Sequence, residues 1–153
     1  MSEVQILVTG EKFTGQGFRA LEPVIEELIG SAKVEVHVIA YLLSPFAVGF
    51  MELLERAMER GVSVTLIVNA LADQPEQIKK YTSKLVERFP SFTVKSFDRS
   101  NDVIHAKVLI IDRRIAIVGS ANLTWGGLVS NHEICVLVRG EPAFKIAALL
   151  DSI

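Results

Sequence analysis

Two polar residues with complementary chemistry, His105 and Lys107, stand in an apolar stretch of the chain. Neutral imidazole is a competent nucleophile near pH 7, and an ammonium group stabilises negative charge that lies near it. The residues that follow, 108 to 111, are all apolar, so we expect the pair to share a partly buried face where unpaired polarity is costly. Alone, such a histidine is more often a core residue than a catalyst, and such a lysine often reaches out to solvent.

The spacing of the pair is informative because residues two apart point the same way on a strand and to opposite sides on a helix. We predict a strand over Val103 to Ile111 that presents His105 and Lys107 together. Asp112 has the opposite parity and adjoins two arginines at an apparent turn. We therefore predict that Asp112 pairs with or caps local structure and is not catalytic.

Further polar positions follow at defined spacing: Gly119-Ser120-Ala121-Asn122, then Asn131-His132-Glu133. With the His-x-Lys-x4-Asp run, this order resembles the phospholipase D superfamily, and the matching residues extend from 105 to 133. The agreement of several positions in type and spacing is far more specific than a lone His-x-Lys pair. One departure is Arg113, where family members often have glycine.

The resemblance implies that His105 attacks phosphorus to form a phosphohistidine, and that Lys107, Ser120 and Asn122 bind the phosphate oxygens. It also implies that Glu133 accepts a hydrogen bond from the other imidazole nitrogen, which fixes the tautomer. The remaining motif positions are expected to be structural: Asp112, Gly119 and Asn131. The implied chemistry is that of a phosphodiesterase without a cofactor, and no His/Cys/Asp cluster has the spacing of metal ligands.

The single His-x-Lys motif predicts a homodimer. Displacement at phosphorus needs a nucleophile on one side and an acid on the other, and one His105 cannot occupy both sides. A two-fold axis would supply the second histidine. A partner subunit would also cover apolar surface in a chain that is 50% hydrophobic.

Hydrophobic periodicity predicts an α/β fold, a mixed β-sheet flanked by helices on both faces. We expect a single domain over residues 1–153, and the chain stops inside an apolar helical pattern, as a domain cut from a longer protein would. The predicted strands are 4–8, 34–43, 62–68, 92–97, 103–111, 115–118 and 133–138. Four helices are predicted: about 21–29, 45–60, a third with Ile78 to Phe89 on one face, and 141 to the end.

Neither a secretory leader nor an apolar run of membrane-spanning length is present, so we predict a cytoplasmic chain without stable membrane insertion. The lone Cys135 lies among apolar residues and is predicted to be a buried structural thiol. His37 is predicted to be a core residue, with the cleft as the alternative, and His132 to be structural. Trp125 could stack a base or pack against the fold.

Substrate class divides the enzyme hypothesis, because the family includes endonucleases, phospholipases and phosphatidyltransferases. Residues 88 to 114 contain six basic residues against three acidic ones, and the chain lacks apolar lid segments, which favours DNA or RNA. The overall charge of −2 weighs against a polyanion. A hypothesis of another class is a catalytically weak nucleic-acid-binding or dimerisation module of a larger defence or restriction protein.

Overall fold

A computed structural model describes residues 3–98, 102–124 and 126–153. These residues form eight strands and four α-helices. The strands are β1 (Glu3–Thr9), β2 (Arg19–Ala20), β3 (Glu35–Ala40), β4 (Ser63–Asn69), β5 (Phe92–Phe97), β6 (Val108–Ile111), β7 (Ile115–Gly119) and β8 (Glu133–Arg139). The helices are α1 (Leu21–Ser31), α2 (Val48–Glu59), α3 (Glu76–Arg88) and α4 (Glu141–Leu150), with short helical turns at Pro45–Ala47, Leu71–Asp73 and Gly126–Ser130.

One mixed sheet carries all the strands, in the order β2-β1-β8-β7-β6-β3-β4-β5. The pairs β3/β4, β4/β5 and β1/β2 are parallel, whereas β1/β8, β8/β7, β7/β6 and β6/β3 are antiparallel. The parallel part arises from two consecutive strand–helix–strand units, β3-α2-β4 and β4-α3-β5. The predicted mixed α/β class is confirmed.

The helices divide between the two faces of the sheet, as predicted. Helices α1, α2 and α3 bury their apolar stripes in one core, with Ile29, Leu54 and Leu85 each at or near 0% exposure. Helix α4 packs on the opposite face through Ala143, Ala147 and Leu150. Three helices therefore cover the larger core on one face of the sheet, and one helix covers the smaller core on the other face.

The strand predicted over residues 103 to 111 is shorter in the structure, because β6 begins only at Val108. Its neighbour β3 pairs with it from Val36↔Ile111 to Ile39↔Val108. Beyond that point the chain after β3 turns towards residues 120–124, where Leu43 and Leu123 form an isolated bridge. Residues 102–107 are thus left without a strand to pair with, and His105 and Lys107 lie in an irregular segment.

Two other boundaries also differ from the prediction. The first helix, predicted over about 21–29, continues through Gly30 to Ser31, because a glycine near the end of a helix is tolerated there. The helix predicted from Pro45 begins as a 3-10 turn and becomes α-helical at Val48. Neither difference moves a polar residue of the motif.

Candidate active site

The predicted site residues gather at one edge of the sheet because of strand direction. The antiparallel neighbours β6, β7 and β8 bring the start of β6, the end of β7 and the start of β8 to the same edge. Lys107 precedes β6, Ser120 follows β7 and Glu133 opens β8. The antiparallel pairing of β3 with β6 adds Tyr41, which follows β3, to this edge.

His105 and Lys107 contact each other although neither is on a strand. Lys107 Nζ lies 3.3 Å from His105 Nδ1 and donates to the His105 carbonyl oxygen at 2.9 Å. The His105 side chain is exposed and Lys107 is half-buried. The partly buried face expected from the sequence is therefore wrong for His105, since the segment has left the sheet before the ring. An exposed ring is open to a substrate.

Glu133 is held by two motif residues. Ser120 Oγ donates a short hydrogen bond to Glu133 Oε2, and Asn131 Nδ2 donates to Glu133 Oε1 at 3.4 Å. Ser120 Oγ also accepts from the Ile134 backbone N–H at 3.3 Å, which fixes the hydroxyl across the β7/β8 ladder. No His105–Glu133 hydrogen bond occurs between these two described side chains. Instead, the ammonium nitrogen of Lys107 lies next to Nδ1 of the His105 ring.

Asn122 lies beside this cluster with an unsatisfied oxygen. Its side-chain Oδ1 is buried without a hydrogen-bond partner among the described residues, a state that usually requires a donor from solvent or ligand. The backbone of Asn122 is pressed against Gly127: a Cβ at residue 127 would stand 2.1 Å from the Asn122 carbonyl oxygen. Glycine at 127 is thus required for Asn122 to lie where it does, and the only signal of this in the sequence is the adjacent glycine pair Gly126-Gly127.

Gly119 has a comparable packing role. A Cβ at this position would lie 2.5 Å from Cys135 Sγ and 2.6 Å from Cys135 Cα, the paired residue on β8. Burial raises the pKa of the Cys135 thiol, although backbone hydrogen bonds from residues 120 and 121 act in the opposite direction. A buried thiol of this kind is inert, and its contact with Gly119 brings β7 and β8 close together beneath Ser120.

Asp112 lies at the opposite end of β6 from the site and binds backbone rather than substrate. Its carboxylate accepts hydrogen bonds from the backbone N–H groups of Lys33 (2.9 Å), Val34 (2.7 Å) and Glu35 (2.9 Å). Partial burial acts to raise the pKa of Asp112, but these hydrogen bonds and the charge of Arg114 outweigh it and leave the pKa lowered. Asp112 therefore connects the β6/β7 turn to the start of β3.

Arg113, where the resembling family often has glycine, has a backbone φ of 56°. An L-residue other than glycine rarely adopts this left-handed conformation. The Arg113 side chain forms ion pairs with Glu35 (3.3 Å) and Asp151, and its guanidinium lies 5.9 Å from the centre of the Phe144 ring. The arginine thus connects the turn to the C-terminal end of α4.

The basic residues between 88 and 114 do not form one patch. Arg88 forms ion pairs with Glu55 and Glu59 on α2. Lys95 donates to the Ile153 carbonyl oxygen, and Arg113 is engaged as described above. Arg99 lies outside the described residues. Arg88, Lys95 and Arg113 therefore do not converge on His105, because strands and turns carry these described side chains to different sides of the fold.

The other polar candidates stand apart from the cluster. His37 lies on β3 between Ile110 and Thr65, with Nε2 3.6 Å from Glu35 Oε2. His132 Nε2 accepts the Lys12 backbone N–H at 3.1 Å, and its ring meets the Phe13 ring edge-on. Trp125 falls outside the described residues. Among the described side chains no group of three His, Cys, Asp or Glu residues is placed to hold a metal ion, and no described helix has the length and apolarity needed to cross a membrane.

Comparison with known proteins assigns the family. A profile of the family described as cardiolipin synthase, PLD-like domain, matches residues 25–152. The chain belongs to the phospholipase D superfamily. This superfamily comprises phosphodiesterases and phospholipase D-like enzymes, and its matched range contains every predicted site residue.

Two curated relatives and one solved structure illustrate the relationship. The chain is 32% identical over 153 residues to the DISARM protein DrmC of Bacillus paralicheniformis, covering 97% of this chain and 62% of the relative. It is 28% identical over 145 residues to cardiolipin synthase 1 of Staphylococcus epidermidis, covering 93% of this chain and 28% of that protein. The chain therefore spans less than two thirds of either relative. NUC of Salmonella typhimurium, a phospholipase D family member, has the same fold with a TM-score of 0.73 and 21% identity, covering 99% of this chain and 91% of that one.

Proposed function

We propose that this chain is a metal-independent phosphodiesterase, an endonuclease acting on DNA or RNA through a phosphohistidine intermediate. The observation that carries the proposal is an exposed His105 ring with the Lys107 ammonium 3.3 Å from its Nδ1, at the sheet edge that also presents Ser120 and Asn122. A nucleophile beside a fixed positive charge and small polar groups suits an anionic diester.

In the proposed reaction, a lone pair of neutral His105 forms a bond to phosphorus while the bond to the leaving oxygen breaks. A second, protonated histidine gives its proton to that oxygen. The same histidine then removes a proton from water, which attacks the phosphohistidine and restores His105. Lys107, Ser120 and Asn122 stabilise the non-bridging oxygens as charge accumulates on them.

The role we propose for Glu133 is to accept a hydrogen bond from the N–H of the His105 imidazole and so orient the ring. Lys107 stands at Nδ1 in the free chain, and Glu133 is bound by Ser120 and Asn131. A bound phosphate competes for the Lys107 ammonium and would leave the imidazole nitrogen open to a new partner. Substrate binding would then complete the orientation of His105.

A second copy of the chain is the proposed source of the second histidine. One face of the sheet beside α4 exposes apolar side chains on three adjacent strands; we refer to it as the open sheet face, and its residues are Val4, Ile6, Val118, Ile134 and Val136. Ile134 and Val4 are 52% and 63% exposed, unusual for apolar strand residues that point to one face. Val118 and Ile134 adjoin the motif residues Gly119 and Glu133, so a subunit seated on this face would lie next to the site.

The preference for nucleic acid over lipid rests on space at the site. The cavity beneath Lys107 and Asn122 measures about 40 Å³ and is lined mainly by apolar core residues. Acyl chains need far more room, because pockets for small organic ligands are usually several hundred Å³. A polymer lying across the exposed His105 needs no such cavity.

Cleavage assays in EDTA test the proposal. Single- and double-stranded DNA and RNA are incubated with the wild-type chain and with His105→Ala. We expect metal-free cleavage that falls at least ~10³-fold in the variant. A reaction on labelled substrate, quenched in alkaline sodium dodecyl sulfate because phosphohistidine is hydrolysed by acid, should trap the labelled phosphate on His105. Cleavage that needs added metal, or that survives in His105→Ala, contradicts the proposal.

A second candidate is a phospholipase or phosphatidyltransferase acting on lipid phosphodiesters. The observation that favours it is that the matching family is described as cardiolipin synthase, PLD-like domain, and that a cardiolipin synthase is among the relatives. Phosphatidylglycerol vesicles in the same assay distinguish the two activities, since headgroup release without nucleic-acid cleavage would establish the lipid enzyme. Nucleic-acid binding with neither activity would instead favour the third hypothesis, a catalytically weak nucleic-acid-binding module of a larger defence or restriction protein.

A further inference from the structure

Tyr41 contacts both halves of the His-x-Lys pair. Its ring centre lies 4.4 Å from that of His105, with the planes inclined at 51°. The Lys107 Nζ atom lies 5.5 Å from the centre of the same ring. Since Lys107 Nζ is also 3.3 Å from His105 Nδ1, the three side chains form a closed triangle.

The backbone beneath Tyr41 is fixed by a buried side chain. Gln74 is only 7% exposed, and its carboxamide has three backbone partners. Its Nε2 donates to the backbone carbonyl oxygen of Asn69 at 2.7 Å and to that of Tyr41 at 3.4 Å. Its Oε1 accepts from the backbone N–H of Leu43 at 3.1 Å. A buried amide that meets several backbone groups is costly to displace. The hydrogen bonds of Gln74 therefore hold the backbone of the loop that carries Tyr41 in place.

Asn69, which binds Gln74, also binds the segment that carries His105. Asn69, whose carbonyl oxygen binds Gln74, accepts the Ile104 backbone N–H at 3.3 Å through its side-chain Oδ1. Ile104 is itself buried and directly precedes His105. Asn69, at the end of β4, is therefore linked by hydrogen bonds to both segments: through Gln74 to the loop after β3, and directly to the residues before β6. These links set the distance between Tyr41 and His105.

We infer that Tyr41 is a positioning residue, whose ring holds the His105 imidazole and the Lys107 ammonium in their mutual arrangement for attack on the phosphodiester. This inference rests on the proposed function for its kinetic test. An aromatic face attracts a nearby cation, and an inclined ring packs against imidazole without fixing its proton. His105 is otherwise exposed and lies in a segment without strand pairing, so it needs such a support.

The contacts of Tyr41 belong to its ring. No hydrogen bond of the Tyr41 hydroxyl is found with any other described residue. Phenylalanine therefore keeps the supporting face, while leucine keeps apolar volume and loses the aromatic face. These two substitutions separate positioning by the ring from simple filling of space.

Steady-state cleavage of a diester by full-length wild type, Tyr41→Phe and Tyr41→Leu gives the first test. We expect Tyr41→Phe to remain within about threefold of wild type. Tyr41→Leu should lose on the order of tenfold or more in kcat with a smaller change in KM, because a misplaced nucleophile costs transition-state stabilisation. Tyr41→Met replaces Tyr41→Leu if the leucine variant does not fold by circular dichroism.

A second test does not depend on turnover. The nuclear Overhauser effect between the Lys107 ε protons and the His105 Hε1 proton reports their proximity directly. It should be present in wild type and Tyr41→Phe and absent or strongly reduced in Tyr41→Leu. If wild type cleaves no diester, the proposed function fails, and this measurement still decides the role of Tyr41.

Either of two outcomes would overturn the inference. One is a Tyr41→Leu protein with wild-type kcat and an unchanged Lys107–His105 effect, which would show that the ring is dispensable. The other is a Tyr41→Phe protein as slow as Tyr41→Leu, which would move the role from the ring to the hydroxyl.

Discussion

Asp112 and Glu35 bind each other twice across the ends of β6 and β3. The Asp112 backbone N–H donates to the backbone carbonyl oxygen of Glu35 at 2.8 Å. The Asp112 carboxylate accepts a hydrogen bond from the Glu35 backbone N–H at 2.9 Å. The aspartate of the His-x-Lys-x4-Asp motif therefore acts at the far end of the strand from His105. Its contribution is to fix β6 against β3, the two strands that carry the site segments at their other ends.

Asp112→Asn should destabilise the fold by about 1–3 kcal/mol at pH 7, since the hydrogen bonds to three backbone N–H groups lose their charge. The pKa of Asp112 is lowered in the folded chain, so its stabilisation is present above the unfolded pKa and is lost as pH falls through the folded pKa. Urea unfolding from pH 7 to pH 2.5 should show the wild-type advantage shrinking below about pH 4. A constant difference across that range would contradict the assignment.

Gly119→Ala should cost about 1–3 kcal/mol or more, because the new methyl would stand 2.5 Å from Cys135 Sγ and 2.6 Å from its Cα. It should also displace Ser120 and reduce cleavage. Gly49→Ala is the matched control: it lies in α2 with nothing within 4 Å of the new Cβ and should stabilise by about 0.5–1 kcal/mol. Thermal unfolding of both variants makes the comparison, and equal effects would refute the close packing at residue 119.

Ile134→Lys should convert the proposed dimer to a monomer and abolish cleavage, because it places an unpaired charge on the open sheet face, at the end next to Glu133. Val86→Lys is the control, since Val86 on α3 is 47% exposed against 52% for Ile134 and lies on the opposite side of the sheet. Sedimentation at micromolar concentration measures the oligomeric state. A wild-type monomer that cleaves normally would rule out the two-histidine mechanism.

Mixed dimers test whether two copies of His105 serve one site. Wild type and His105→Ala are refolded together in varying proportions, and the cleavage rate is measured at constant total protein. If both histidines are required, the rate should follow the square of the wild-type fraction, because only wild-type pairs are active. A linear dependence would mean that each chain works alone.

The motif and its superfamily were readable from the sequence because residue type and spacing are local properties. The mixed α/β class followed in the same way from hydrophobic periodicity, since each strand and helix must bury one face. Boundaries were less accessible: the strand expected from residue 103 begins at Val108, because strand length depends on whether a neighbour is present to pair with.

The sequence by itself determined the superfamily, the order of elements and which residues could do the chemistry. Only the tertiary structure decided the surroundings of His105: Tyr41 against its ring, Lys107 at Nδ1, and Glu133 engaged with Ser120. It also showed that Arg88, Lys95 and Arg113, which lie in one basic segment of the chain, contact different parts of the fold. Contacts between residues as distant as 41 and 105 arise from the pairing of β3 with β6, two strands that are far apart along the chain.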